Sequence, residues 1–233
     1  MLTKRELEQV VTEGIPDLWN VLLPDQKRIV SENLILKQYK KGQIIYAEGE
    51  EPDNLWILLK GKVKKYKSGI GDRVQILRLY RPVQYFGHRA YFARENYVST
   101  AAAFEPSLLG FIPMEVVEEL IRQNTDLAMF IIHNLSKTLG GSDTKIVNLT
   151  QKHIRGRLAE ALLLLAENYG LEDDEATLKI YMSREDLANL SNMTTANAIR
   201  TLSTFVNEKI LVVDGRRIKI INESQLRKIS KYG

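Results

Sequence analysis

The residues best suited to chemistry lie towards the C-terminus, and they suit recognition rather than bond making. Ser183 precedes a helical pattern, Arg184 to Leu190, and Asp186 three residues on gives an Asp variant of the capping box. After a tight turn, Ser191-Asn192-Met193, Thr194 is a second N-cap for a helix running to about Asn207. Leu187, Leu190, Ile199, Leu202 and Phe205 can close a core between the two helices. Thr195, Ala196, Asn197 and Arg200 cannot all share that face, so short polar groups and one Arg stay near the start of the second helix. An Arg can bond guanine bidentately and an Asn can bond adenine, while Ser183 and Arg184 at a helix start suit a phosphate. Ile210 to Val213, Asp214-Gly215 and Arg216 to Ile221 then read as a hairpin, because Asp-Gly is a strong two-residue turn signal. Arg216 and Arg217 near its tip would meet phosphates. Singly, each residue also fits an ordinary cap or surface position. Together, helix, turn, helix and basic hairpin predict a winged helix-turn-helix that binds double-stranded DNA.

The elements around this unit must hold it. An amphipathic helix, Arg157 to Asn168, ends at Gly170, and Thr177 to Tyr181 is a short strand candidate. From Lys179 to Gly233 there are ten Lys/Arg against five Asp/Glu, directly after the acidic Glu172-Asp173-Asp174-Glu175. That balance fits phosphate binding, although a solvated surface accounts for charge alone equally well. Further upstream, residues 33 to 112 read as short strands divided by glycines, among them Ile44 to Tyr46, Leu55 to Leu59, Val74 to Leu77 and Leu108 to Ile112. This spacing predicts a β-sandwich or barrel. Met114 to Glu167 reads as helical, interrupted near Leu139 to Ser142. Leu127, Ile131, Leu135 and Leu139 recur every four residues, and Ile146 and Leu149 resume the face. The stripe packs either on its own β domain or on a partner helix in a homodimer. Gly140-Gly141 costs the helix about 1 kcal/mol per glycine, so either it breaks there or a close approach uses the small residues.

Composition removes several function classes. The 233 residues include no cysteine, which excludes disulfides, thiolate zinc sites and cysteine-held iron–sulfur clusters. No apolar run nears the roughly 18 residues of a membrane span, and the start carries no signal-peptide pattern, so a cytoplasmic location is expected. A cupin-like metalloenzyme would need clustered histidines and a Glu, whereas the three histidines are dispersed. No enzymatic activity and no metal site are expected.

Over nearly its whole length the chain resembles the family of the cAMP receptor protein and the fumarate–nitrate reduction regulator, the Crp/Fnr transcription regulators. The likeness rests on Lys41-Gly42-Gln43-Ile44-Ile45, Ala47-Glu48-Gly49-Glu50, Leu55 to Val63 and Phe86-Gly87 in the β domain. Towards the C-terminus it rests on Arg155-Gly156-Arg157-Leu158-Ala159, Ser183 to Ala188 and Asn197-Ala198-Ile199-Arg200. The resemblance implies an α+β fold: a double-stranded β-helix (β-roll) with flanking helices over 1–123, a dimerisation helix and hinge over 124–150, and a winged helix-turn-helix over 151–233. It implies a homodimer on pseudo-palindromic operators, a small-molecule effector that reorients the two recognition helices, and RNA polymerase as a partner.

By the same resemblance Thr195, Ala196, Asn197 and Arg200 read bases, and Ser183 and Arg184 hold phosphate. Ala196 stands where relatives carry a base-reading Glu, so a different operator is expected. The effector pocket, if kept, is lined by Gly87, His88, Arg89, Val98, Ser99 and Thr100, with Ser142 and Asp143 from the helix. Cyclic-nucleotide members have a Glu for the ribose where His88 stands and an Arg for the cyclic phosphate where Val98 stands. A buried phosphate without its cation loses several kcal/mol of hydration, so cAMP is not expected by those contacts. Arg89 or Arg94 could supply only a displaced cation. The alternatives are a haem held by His88 in a gas-sensing member of the family, and a cyclic-nucleotide-type ligand-binding module without DNA recognition.

Overall fold

A computed structural model describes residues 16–232. Helices α1 (Pro16–Val21) and α2 (Pro24–Asn33) precede eight strands. These are β1 (Ile35–Tyr39), β2 (Ile44–Tyr46), β3 (Asn54–Lys60), β4 (Val63–Ser68), β5 (Val74–Tyr80), β6 (Gln84–Phe86), β7 (Thr100–Ala103) and β8 (Ser107–Pro113), with α3 (His88–Ala93) between β6 and β7. One four-stranded sheet has the order β1-β8-β3-β6 and the other β2-β7-β4-β5. The turn spacing predicts a β-sandwich or barrel, and the two sheets form the β-roll that the family resemblance implies.

β3 explains why both faces of the first sheet are covered. Its sequence, Asn54-Leu55-Trp56-Ile57-Leu58-Leu59-Lys60, is almost continuously apolar, as a strand buried on both faces must be. Side chains alternate along a strand. Leu55 and Ile57 join a cluster with Leu18, Val30, Met114, Val117 and Leu127, while Trp56 and Leu58 join Tyr46, Val63, Tyr80, Phe86 and Tyr97.

Four helices follow: α4 (Met114–Gln123), α5 (Thr125–Gln151), α6 (Ile154–Tyr169) and then, after the acidic loop, α7 (Arg184–Leu190). α8 (Thr195–Asn207), β9 (Leu211–Asp214), β10 (Arg217–Ile220) and α9 (Glu223–Tyr232) complete the chain. The segment Thr177 to Tyr181 makes two isolated bridges, Leu171–Leu178 and Thr177–Lys219, rather than a strand. α9 has no counterpart in the periodicity analysis; it packs on α6 with Leu226 fully buried. The hairpin register pairs Asp214 with Arg217, so its two turn residues are Gly215 and Arg216, one place later than the Asp-Gly signal implied.

The chain divides into two compact units, one of residues up to Ser68 with Leu77–Leu139, the other of Gly69–Ile76 with Gly140–Gly233. The helical region breaks elsewhere than expected. α5 runs unbroken through Gly140-Gly141, and the interruptions fall at Asn124 and at Lys152-His153. Asn124 closes α4, and its side-chain oxygen accepts from the Leu127 amide 3.1 Å away to start α5. Its amide group donates to the Val21 carbonyl at 2.8 Å and to Gln26 Oε1 at 2.7 Å, which fixes the corner.

Within the chain, a Cβ at Gly140 or Gly141 would meet nothing within 4 Å. Gly140→Ala is therefore expected to stabilise the protein by about 1 kcal/mol in equilibrium denaturation, through helix propensity alone. A loss of stability would show that another backbone packs against this point.

Candidate nucleic-acid interface and effector site

The helix pair is set by its caps and by one buried stripe. Ser183 Oγ accepts from the Asp186 amide at 3.0 Å and donates to Asp186 Oδ2 at 2.7 Å, starting α7. Leu187, Ala188 and Leu190 bury its inner face. Asn192, in the left-handed region at φ 51°, turns the chain, and Thr194 Oγ1 accepts from the Asn197 amide at 3.2 Å to start α8. Ala198, Leu202 and Phe205, spaced four and three apart, form the buried stripe of α8. Arg155 on α6 pairs with Glu208 just past the end of α8, and its guanidinium lies 5.1 Å over the Phe205 ring. These contacts fix the rotation of α8 about its own axis.

That rotation exposes Thr195, Ala196 and Arg200 and leaves Asn197 half-buried. Arg200 donates to Asn197 Oδ1 at 2.5 Å, so the two candidate base readers are held together. Ile199 does not join the core as spacing implied. It lies one residue past Ala198 and is 47 % exposed, because a step of one residue leaves the buried stripe.

The hairpin cations are more constrained than expected. Arg184 donates to the Gly215 carbonyl at 2.8 Å, tying the start of α7 to the hairpin tip. Arg217 pairs with Glu172 at 2.9 Å and lies 5.7 Å over the Tyr181 ring, while Lys219 pairs with Asp174 at 3.1 Å. Arg216, at the tip, is exposed. Asp174 also accepts from the Ala176 and Thr177 amides and from the Thr177 hydroxyl, which holds its carboxyl well below the usual range. The acidic loop is thus the partner of the wing. Its charge run was visible in the sequence, but the pairing across 45 residues was not.

In α5 the expected stripe divides. Leu127 and Ile131 are buried in the chain's own core at 2 % and 6 % exposure, which leaves them no surface for a partner. Leu135 and Leu149 are half-buried. Leu139 and Ile146 are 64 % and 60 % exposed, and they share that exposure with Met129, Ile132 and Val147, which the four-residue spacing missed. Met129, Ile132, Leu139 and Ile146 follow steps of three, seven and seven, the spacing that a coiled-coil seam uses.

The expected effector residues fall in both units. Gly87 turns at φ 98°, and a Cβ there would come within 2.8 Å of the Asn54 carbonyl oxygen and of Trp56 Cδ1. His88 follows, buried, with Nδ1 lacking a hydrogen-bond partner. Ser99 is buried, and Thr100 Oγ1 accepts from the Glu48 amide at 3.0 Å. Val98 is exposed; Lys67 Nζ donates to its carbonyl at 2.9 Å but is paired with Glu48. Arg89 is paired with Glu95. These groups do not supply a free cation for a cyclic phosphate at Val98. In the same roll core Tyr46 stacks on Tyr97 at 3.7 Å and Tyr80 on Phe86 at 4.6 Å. Ser142 and Asp143 are exposed residues of α5 in the second unit.

Burial, and then the charge of Lys65, pushes the His88 imidazole down from 6.5 to about 4. Between those values the unfolded chain binds a proton that the folded chain does not, so stability is complete above about 6.5 and is lost as pH falls towards 4. Denaturation curves between pH 7 and 4 are expected to show a slope of up to about 1.4 kcal/mol per pH unit from this group. His88→Gln should flatten it; an unchanged slope would show that His88 titrates normally.

Among the described residues no three His, Cys, Asp or Glu side chains come together as a metal site, and no helix is long and apolar enough to cross a membrane. Residues 36–124 match the cyclic nucleotide-binding domain family, and residues 156–229 match the Crp-like helix-turn-helix domain family. The chain is 25 % identical to the global nitrogen regulator of Synechococcus elongatus, over 81 % of its own length and 86 % of the relative's. It is 26 % identical to the fumarate and nitrate reduction regulatory protein of Vibrio cholerae, over 83 % and 78 %. Its fold matches the structure of FixK2 from Bradyrhizobium japonicum with a TM-score of 0.77 at 21 % identity, covering 84 % of this chain and 96 % of that one. A cyclic-nucleotide-binding-type roll, a long helix and a Crp-like DNA-binding helix-turn-helix in this order make the chain a member of the Crp/Fnr family of transcription regulators.

Proposed function

We propose that the protein works as a homodimer whose two α8 helices read a pseudo-palindromic operator. The observation that carries this reading is the exposed start of α8, with Thr195, Asn197 and Arg200 held outward by the buried Ala198, Leu202 and Phe205. Base contacts come from Asn197 and Arg200, and phosphate contacts from Ser183, Thr194, Arg216 and the end of Arg184 not engaged with Gly215. Arg217 joins them only if Glu172 releases it. RNA polymerase is the downstream partner, and the activity is regulatory rather than enzymatic.

The dimer seam in this reading is the outer face of α5, Met129, Ile132, Leu139 and Ile146, whose exposure on a monomer would be costly. A pseudo-palindromic operator offers the two α8 helices of such a dimer successive major grooves, about 34 Å apart. A ligand that favours this spacing over another would switch binding on by population shift. The ligand chemistry differs from cAMP held by the familiar Glu and Arg, since His88 and Val98 occupy those positions.

Selection from a randomised duplex pool, with and without the small-molecule fraction of a bacterial extract, tests this directly. The expected product is an inverted repeat bound by two chains, with affinity falling steeply as salt rises. Failure to enrich any duplex under either condition would contradict the proposal. Leu139→Glu combined with Ile146→Glu should give a folded monomer that no longer prefers the repeat to a half-site; a dimer that survives both changes would place the seam elsewhere.

A further inference from the structure

α8 leaves two large apolar side chains exposed, Ile199 and Val206, and the first of them lies among its polar residues. Ile199 is 47 % exposed, although the helix around it is anchored by Ala198, Leu202 and Phe205. Its neighbours on the helix surface are Thr195 and Ala196 one turn earlier and Ser203 one turn later, all exposed. Arg200 is the next residue and is exposed as well. Ser203 Oγ is turned back to the Ile199 carbonyl at 3.1 Å and Thr204 Oγ1 to the Arg200 carbonyl at 3.0 Å, so neither hydroxyl is directed away from the helix. Ala196 and Ile199, three residues apart, therefore form a small apolar patch beside the Asn197–Arg200 pair.

Scattered exposed aliphatic residues are ordinary on protein surfaces. This one is distinguished by its place, since the buried stripe directs it to the side that carries the candidate base readers. The major-groove edges of the bases offer polar acceptors and donors with one apolar exception, the 5-methyl group of thymine. We propose that Ile199, with Ala196 beside it, is a specificity-determining residue that packs on a thymine methyl in each half-site, next to the base bonded by Arg200. An aliphatic side chain there gains nothing from guanine, adenine or cytosine edges and leaves their polar groups unpaired, so it discriminates against them. The contact rests on the reading of α8 as the recognition helix.

The test uses the full-length protein and the duplex enriched from the randomised pool. Each thymine is replaced in turn, in both half-sites, by deoxyuridine, which lacks only the methyl group. One symmetric thymine pair should respond, with affinity falling about fourfold per half-site, the effect of losing one buried methyl. Ile199→Ser should bind thymine and deoxyuridine duplexes equally and should relax base preference at that position in a fresh selection. Ile199→Val should keep most of the methyl sensitivity. Because Ile199 is a surface residue, neither change endangers the fold. A duplex indifferent to deoxyuridine at every thymine would overturn the proposal, as would equal sensitivity in wild type and Ile199→Ser, with recognition by α8 left standing in both cases. Failure to enrich any duplex would overturn the recognition-helix reading and this inference with it.

Discussion

Three buried side chains, Ala198, Leu202 and Phe205, govern how α8 presents its surface. A helix laid on α6 and α7 by such a stripe has one free variable, its rotation, and fully burying Phe205 settles it. Removing a buried aromatic of this kind costs about 3–5 kcal/mol, against about 1–3 kcal/mol for one good side-chain contact to a base. The outer face therefore follows from the inner one. Arg155 strengthens the arrangement by pairing with Glu208 and lying over the same ring, so the far end of α8 is held as firmly as its capped start. The outward placement of Arg200 and Ile199, on which the proposed base reading rests, is a consequence of where Phe205 sits.

Electrostatics around the wing add a second constraint. Glu172 and Asp174 neutralise Arg217 and Lys219, so the hairpin approaches a duplex with less charge than its sequence implies. These pairs are exposed, and pairs of that kind contribute little to stability. Their consequence lies in distribution: the unpaired positive charge of the hairpin is at Arg216, in addition to the one cation of α8, Arg200, rather than spread over the whole hairpin.

Much of this architecture is legible in the sequence because it is local. The caps at Ser183 and Thr194, the glycine after α6 and the short apolar strands divided by glycines all depend on neighbours within a few residues. What was not legible depends on distance or on a choice between adjacent stripes. Spacing puts Ile199 in the core and does not single out Ala198, and only packing decides that Ala198 goes in and Ile199 stays out. The same ambiguity hid the division of α5, where Leu127 and Ile131 serve the β domain and Leu139 and Ile146 remain outside. Gly140-Gly141 leaves both a break and a close approach open because glycine weakens helices, and the helix of 27 residues absorbs the cost of about 1 kcal/mol per glycine without breaking. The Arg217–Glu172 pair joins residues far apart in the chain and has no sequence signature at all. In the effector domain the substitutions at His88 and Val98 were readable only through the family resemblance, while the aromatic stacking that fills the roll emerged from the structure.

The central claim is that α8 reads bases through the face opposite Phe205. The most direct measurement is the affinity of Arg200→Ala for the enriched operator and for a panel of its single-base variants. The account predicts a loss of about 1–3 kcal/mol that is confined to one base position per half-site, where discrimination disappears. Uniform weakening on every duplex, with discrimination intact, would make Arg200 a phosphate contact and contradict the account.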